Sequence, residues 1–240
     1  MTRQAKTELP GVMPSAQHTL ARNPMQPPAD SPATPAEALR AFLSHASVRI
    51  LLVTLVVLWS WRIWLGAWTW VDGALALGLW AAFPFVEWFI HVVMLHYRPR
   101  RIGRWTLDFH LPRTHRHHHA HPWDLEWVFV PLHIHAMVVP ALLAAVALAG
   151  PWRGAVLTFA AVFLTQGLHY EWVHFLGHIR WTPSWAYYQR RVREHRYHHF
   201  RNENYWWGVS RGLADRLLGT APDARLTARS GTNKDLGIKS

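Results

Sequence analysis

The chain has 240 residues, half of them hydrophobic and only 16% charged, a length that suits one or two domains. It contains no cysteine, which excludes disulfides, a thiolate nucleophile, a cysteinyl iron–sulfur cluster and a thiolate-ligated haem. The formal net charge of +11 raises the question of nucleic-acid binding, which the placement of the basic residues answers below.

The chain begins with a segment that has no apolar periodicity. Residues 1–36 contain seven prolines and few large apolar residues, so they cannot bury enough surface to offset the entropy of ordering. The segment also lacks the apolar core and cleavage site of a secretory signal. We therefore expect residues 1–40 to form a disordered N-terminal tail.

Four apolar segments follow, at residues 50–71, 74–95, 127–152 and 155–175. Each approaches or exceeds the roughly 20 apolar residues that a spanning helix needs. A soluble bundle is the alternative, but a chain of this size cannot bury four helices that are apolar on every side. The sequence therefore predicts an all-α integral membrane protein with four transmembrane helices in two hairpins.

The basic residues predict the orientation of these hairpins. Of the 25 Lys and Arg residues, five precede the first span, six lie between the second and third, and twelve follow the fourth. Such residues are retained in the cytoplasm when they flank a span. Both termini and the middle loop are thus predicted to be cytoplasmic. The high charge reflects topology and suits anionic lipid headgroups, so we do not expect a nucleic-acid partner.

Ten of the 18 histidines fall into four clusters at the predicted cytoplasmic ends of the spans. The order of a histidine pair followed by H-x-x-H-H occurs twice, with His91 and His96, then His115, His118 and His119, then His174 and His178, then His195, His198 and His199. Residues three and four apart share one face of a helix. The five-residue step from His91 to His96 is about 140° around an ideal helix, which predicts a helix end or a local bulge there.

Ten clustered imidazoles exceed the four ligands of one structural zinc. Two ions with five ligands each would leave a six-coordinate metal one open position. Imidazole suits iron, zinc, copper and nickel alike, so ligand type leaves the metal open. An open site facing a bilayer favours oxygen activation by two iron ions, and zinc could replace iron in a purified sample.

Three carboxylates lie near the histidine clusters and are candidates for supporting them. Glu87 is one helical turn before His91, and Glu171 is three residues before His174. An acidic partner can set the tautomer of a histidine ligand. Asp124, in the sequence HPWD, is the third candidate. The alternative for Glu87 and Glu171 is that each pairs with an interfacial basic residue, and the alternative for Asp124 is that it caps the helix that follows it.

These motifs together resemble the fatty acid hydroxylase and sterol desaturase superfamily, and above all the catalytic domain of fatty acid 2-hydroxylases. The resemblance lies in EWFIHVVMLH at 87–96, HRHHHAHPWDLEWVFVP at 115–131, YEWVHFLGH at 170–178 and HRYHHF at 195–200. Asn204, Tyr205 and residues 215–220 are similar to the C-terminal signature of that family. The likeness covers about residues 47–220 and depends on four motifs in order.

The resemblance implies a membrane-bound diiron monooxygenase whose ten clustered histidines hold two irons. It further implies a helical cytosolic cap and a lipid or fatty acyl substrate that enters between cap and membrane. Members of that family often carry a fused haem-containing cytochrome domain, for which the predicted N-terminal tail is too short, so we expect a separate electron-transfer protein. We expect the hydroxylase-like domain at residues 41–220 and a flexible tail at 221–240. His133 and His135, in the third span, are expected to line a polar cavity.

Two other functions remain open from the sequence. The same site could hydroxylate or desaturate a sterol or carotenoid, because one oxidant serves both outcomes. A membrane metal transporter or sensor would use the histidines as a relay. A relay predicts polar residues through the depth of the spans, whereas the outer halves of three of the spans are almost purely apolar.

Overall fold

The computed structural model describes residues 25–238 and is mostly helical. Its helices are α1 (Pro35–Ser44), α2 (Ala46–Leu65), α3 (Trp70–Phe89), α4 (His110–Ala120), α5 (Leu132–Leu148), α6 (Arg153–Gly177), α7 (Ala186–Phe200) and α8 (Leu213–Leu217). A π-helical segment, Ile90–Leu95, continues α3, and short 3-10 turns lie at Leu125–Trp127 and Gly150–Trp152. The described residues depart from the all-α prediction at one antiparallel hairpin, β1 (Arg100–Ile102) and β2 (Trp105–Leu107).

Part of the segment predicted to be disordered is a helix. Residues 1–24 lie outside the described residues, but residues 35–40 form the first turns of α1. Thr34 caps this helix by accepting from the Glu37 amide at 3.3 Å, and the Glu37 carboxylate accepts from the Thr34 amide. Ala38 and Phe42 are buried. A capped helix with a buried apolar stripe is stable where proline content alone suggests disorder.

Three helical segments are long and apolar enough to cross a membrane: Ala46–Leu65, Trp70–Leu95 and Leu125–Leu148. The first predicted span, 50–71, is wrong at its end, because α2 stops at Gly66, whose φ is +62°. There Thr69 and Asp72 form the capping box that begins α3. The fourth predicted span lies within α6, which is not one of these three segments, so the four-span arrangement stays a prediction.

Helix α6 is the central element of the fold and packs against α2, α3, α5 and α7. One core cluster joins α2, α5 and α6 through residues that include Leu58, Val146 and Leu157. A second core cluster joins α1, α6 and α7 through residues that include Phe42, Phe175 and Val192. Because other helices cover α6, it can carry polar side chains on buried faces, in keeping with its lower hydropathy.

The segment after residue 220 packs back onto the protein through residue 238, in contrast to the predicted flexible tail. The Ser230 amide donates to the Arg201 carbonyl at 2.7 Å, and the Ser230 hydroxyl donates to Glu203 at 3.0 Å. Arg201 Nε donates to the Thr227 carbonyl at 2.9 Å, and Leu236 is buried. These contacts hold the segment against the C-terminal end of α7, next to the last histidine cluster.

Candidate metal centre

The end of α3 widens into a π-helical turn between the first two clustered histidines. The His96 amide donates to the His91 carbonyl at 3.1 Å, a five-residue hydrogen bond that places the two residues one above the other. Their ring centroids are 5.1 Å apart. The predicted bulge is confirmed, because an ordinary helix would turn the two rings to different faces.

The other eight clustered histidines converge from three helices. Helix α4 carries His115, His118 and His119, the end of α6 carries His174 and His178, and α7 carries His195, His198 and His199. Within each group that the fold assembles, the ligand nitrogens lie within 4.8 Å of one another. Group 1 consists of His91, His96, His115, His119 and His198, and group 2 consists of His118, His174, His178, His195 and His199.

Each group takes most of its members from one half of the chain and one member from the other half. His198 of α7 joins the four N-terminal members of group 1, and His118 of α4 joins the four C-terminal members of group 2. The adjacent rings of His118 and His119 therefore belong to different groups. This exchange ties α4 and α7 together and brings the groups side by side, since the rings of His119 and His199 stack at 4.3 Å.

The ring nitrogens are suited to bind metal ions. Six Nε2 atoms are buried without a hydrogen-bond partner among residues 25–238: those of His91, His96, His118, His174, His198 and His199. A buried polar atom left without a partner costs about 1–3 kcal/mol, so six of them in one place call for a ligand. The other four Nε2 atoms meet in pairs, His115 with His119 at 3.2 Å and His178 with His195 at 2.8 Å.

Burial keeps the imidazoles neutral. It lowers the pKa of His119 to about 3, and burial together with the neighbouring imidazoles lowers the pKa of His115, His118 and His199 well below the usual value. A neutral imidazole has the free lone pair that a metal ion requires. The two groups therefore fit a pair of metal ions by burial, protonation state and ligand chemistry.

Backbone carbonyls orient four of the rings. His91 Nδ1 is 2.6 Å from the Trp207 carbonyl, His198 Nδ1 is 2.8 Å from that of Tyr205, and His119 Nδ1 is 3.0 Å from that of Asn233. In group 2, His178 Nδ1 is 2.6 Å from the Pro122 carbonyl. A carbonyl can only accept, so each Nδ1 carries the proton and each Nε2 keeps the lone pair that a metal requires. Three carbonyl partners of group 1 thus come from residues 205–233.

The three candidate carboxylates make no hydrogen bond or ion pair with the clustered histidines within the described part of the chain. Glu87 accepts from the Ser210 amide at 2.6 Å and from the Ser210 hydroxyl. Glu171 accepts from the Val130 amide at 2.9 Å and from the Ser47 hydroxyl at 3.0 Å.

Asp124 accepts from the Glu126 amide at 3.2 Å and caps the 3-10 turn that follows, in agreement with the capping alternative. At His91 the Trp207 carbonyl, and not Glu87, lies next to Nδ1. Glu171 makes no hydrogen bond to His174, whose Nδ1 has no hydrogen-bond partner among the described residues. Both carboxylates instead fasten the segments around the site, Glu87 to residue 210 and Glu171 to residue 130.

A buried aspartate holds the loop that supplies two of the carbonyls. Asp215 accepts from the amides of Trp207 at 3.0 Å and Gly208 at 2.6 Å, and from the Thr220 hydroxyl at 2.6 Å. Its side chain is fully buried. No role was predicted for Asp215 from the sequence, although it lies in the C-terminal stretch that resembles the family signature. Asp215 therefore fixes the loop that orients His91 and His198.

A cavity of about 320 Å³ leads from the surface to both groups. His115 of group 1 and His174 of group 2 lie at its buried end. The exposed residues His110, Glu126 and His133 form its mouth. The walls between them are largely apolar and include Leu95, Leu111, Val128, Phe129, Leu132 and Tyr170.

His133 thus lines the cavity, as expected from the sequence. His135 does not belong to the lining of this cavity. Its Nε2 lies 2.6 Å from the Ser47 hydroxyl, which also donates to Glu171. His135 is therefore part of a buried hydrogen-bond chain that links α5, α2 and α6.

The chain matches one family model and is similar in fold to one solved structure. A family model described as fatty acid hydroxylase matches residues 76–220. No curated protein matches the chain. A solved structure titled "Full length scs7p (only hydroxylase domain visible)" is similar over 81% of this chain and 68% of that one, with 19% identity and a TM-score of 0.50. At this identity the likeness concerns the fold.

Proposed function

Because the chain belongs to the fatty acid hydroxylase family, we propose that it is a membrane-bound diiron monooxygenase that hydroxylates a lipid acyl chain. It uses O2 and electrons from a separate electron-transfer protein. The observation that carries this proposal is the pair of five-histidine groups, with their unpartnered Nε2 atoms, at the end of an apolar cavity.

In this proposal each group of histidines holds one iron. Iron bound there supplies the redox chemistry that activates O2 for attack on an unactivated C–H bond. The protein contributes ten neutral donors, whose rings are held in place by buried helices. The carbonyls of residues 205, 207 and 233 keep a proton on Nδ1 of His198, His91 and His119. These three histidines of group 1 then do not need to rotate when metal binds.

The cavity supplies the binding site for the acyl chain. Its walls near His115 and His174 are largely apolar, and the exposed imidazoles of His110 and His133 at its mouth suit a polar group. A lipid with a carboxyl or amide end and an apolar chain fits this gradient. We propose hydroxylation near the carboxyl end, because the polar mouth and the histidine groups are two ends of one short cavity.

We also propose that α6 is a fourth span and that the histidine centre lies on the cytoplasmic side. Twenty-five helical residues extend about 37 Å, enough for a bilayer core, and α2, α3 and α5 cover much of α6. The basic residues around the histidine motifs favour this orientation.

Single-cysteine variants test this topology, because the chain has no cysteine. Ser230→Cys and Ala67→Cys are each treated in sealed vesicles with a thiol reagent that cannot cross the membrane, and the two are expected to react from opposite sides. Labelling of both from the same side would contradict this arrangement.

Lipid mass spectrometry of expressing cells tests the activity. Wild type is expected to produce lipids heavier by one oxygen atom, and His198→Ala is expected to produce none. His121→Ala is the matched control, because His121 is exposed at the end of α4. Products that lack two hydrogens would indicate desaturation instead. If the wild-type protein binds iron in these cells and yet no new lipid is found, this result would falsify the proposal.

A further inference from the structure

The hairpin β1–β2 presents an apolar face that nothing within residues 25–238 covers. Arg100 pairs with Leu107 and Ile102 pairs with Trp105 across the hairpin, so these four side chains share one face, because directly opposed residues point the same way. Arg101 and Thr106 form the opposite face. Gly103, whose φ is +58°, makes the two-residue turn possible.

The apolar side chains on this face are unusually exposed. Ile102 is 60% exposed, Trp105 is 66% exposed and Leu107 is 38% exposed. Phe109, two residues further on, is 55% exposed. An isolated two-stranded hairpin is marginally stable in water, so a hairpin that leaves its apolar face open requires a surface that covers it.

The charge around the hairpin identifies the kind of surface. Arg98, Arg100, Arg101 and Arg104 are exposed, and none has an ion pair within the described residues. The nearby carboxylate of Asp108 is already occupied by other arginines of α4. Arg104 lies 5.1 Å from the Trp105 ring. A tryptophan among unpaired arginines is typical of a segment at the interface of an anionic leaflet.

The position of the hairpin agrees with that interface. It begins five residues after Leu95, where the second apolar segment ends. Its base is fixed by the rings of Tyr97 and Phe109 at 5.3 Å. It is also fixed by Arg116, which donates to both oxygens of Asp108 at 2.7 Å. The hairpin is therefore held at the level of the helix end, and only its tip is unattached.

We infer that the face formed by Ile102, Trp105 and Leu107 inserts into the headgroup region of the leaflet next to the histidine centre, and that the surrounding arginines bind anionic phospholipid headgroups there. This inference goes beyond the proposed function, since it concerns a membrane contact and does not depend on hydroxylation. Arg116 and Asp108 connect this contact to α4, which carries His115, His118 and His119.

The two faces of the hairpin provide a matched test, because the chain has no native cysteine. Ile102→Cys and Leu107→Cys report on the apolar face, and Thr106→Cys is the control on the opposite face. Each full-length protein is labelled with an environment-sensitive fluorophore in phosphatidylcholine vesicles with and without phosphatidylglycerol. Lipid-borne nitroxide is expected to quench the labels at 102 and 107 more than the label at 106, and aqueous iodide is expected to show the reverse order.

The arginines are tested by Arg100→Gln and Arg104→Gln in the Ile102→Cys protein. Each substitution is expected to lower the ratio of inserted to exposed hairpin by about fivefold in anionic vesicles, with little change in phosphatidylcholine. Equal quenching of both faces would overturn the inference. So would protection of residue 102 that depends on protein density and not on lipid charge, because it would identify a second copy of the chain as the cover. Neither measurement requires turnover, so a failed hydroxylase assay leaves this test intact.

Discussion

Two buried polar clusters lie at opposite ends of α3 and α6, and they differ in whether their polar atoms have partners. At one end, Arg62 is fully buried and Asp72 nearly so. Arg62 Nε lies 2.9 Å from the Thr158 hydroxyl and its Nη1 lies 2.5 Å from the Gly66 carbonyl. Its Nη2 makes no hydrogen bond among the described residues but forms an ion pair with Asp72 at 2.8 Å. The Trp68 ring covers its guanidinium at 3.6 Å.

The histidine centre at the other end has an excess of nitrogen atoms over hydrogen-bond partners. Six Nε2 atoms there are buried and have no partner among the described residues. Both clusters interrupt apolar segments and both are buried, so burial of polar groups by itself does not identify a functional site. A buried cluster whose hydrogen-bond donors and acceptors match is structural. A buried cluster with an excess of acceptor nitrogens is arranged for a ligand.

The largest expected effect comes from the two histidines that cross between groups. His198→Ala and His118→Ala should each reduce hydroxylation by more than about 100-fold, because each removes a direct metal donor. Iron analysis of the purified proteins should show one iron fewer per chain, from group 1 and group 2 respectively. His117→Ala is the control, because His117 is next to His118 on α4 and belongs to neither group. Full iron content in either variant would contradict the assignment of two groups.

Breaking the cluster around Arg62 and Asp72 should instead lower the stability of the folded protein. Arg62→Met leaves the Asp72 carboxylate buried without its partner, which costs about 3–5 kcal/mol of unfolding free energy. Denaturant unfolding in detergent measures the loss, and the iron content of the folded fraction should stay at the wild-type value. The double variant Arg62→Met with Asp72→Asn should regain part of the stability. Loss of iron from the folded Arg62→Met protein would break the distinction between the two clusters.

Metal removal acts on the histidine centre alone. A chelator should lower the unfolding free energy by about 3 kcal/mol or more if iron is present at 100 times its dissociation constant or above. Because Arg62 and the histidines are at opposite ends of the helices, the losses from chelation and from Arg62→Met should add within about 0.5 kcal/mol. Denaturant unfolding of wild type and variant, each with and without chelator, gives the four values. Marked non-additivity would mean that the clusters are coupled.

The smallest effect is expected one step away from the ligands. Asp215→Asn weakens the anchor of the loop that orients His91 and His198, so iron affinity at group 1 should fall by about 10–100-fold while group 2 is unchanged. Competition with a chelator measures the two affinities. Asp223→Asn is the matched control, because Asp223 pairs with Arg225 at the surface. A decrease at both groups would show that Asp215 supports the fold in general.

Several features of the site were predictable because they are local. The five-residue step from His91 to His96 cannot share one face of an ordinary helix, so an interruption was expected, and the π-helical turn confirms it. The three- and four-residue steps of the other clusters required only ordinary helices. The capping box at Thr34 and Glu37 was equally local, and the prediction of disorder there was wrong because proline content outweighed it.

Other features were not predictable because they join distant parts of the chain. The spacing of His118 and His119 does not reveal that adjacent residues serve different groups, since that depends on how α4 meets α6 and α7. Nor can a sequence motif mark the carbonyls of Tyr205 and Trp207, since every residue has one. The role of Asn233 was hidden for the same reason, and composition alone suggested a flexible tail.

The amino-acid sequence by itself determined the apolar segments, the excess of imidazole over what one ion needs, and the kind of chemistry that such donors support. These follow from residue type and helical periodicity, which act over a few neighbouring residues. Only the tertiary structure decided which five histidines share a group, which carbonyls orient them, and that the chain beyond residue 220 closes the site. Such pairings depend on helix packing, because contacts between residues on different helices leave no periodic trace in the sequence.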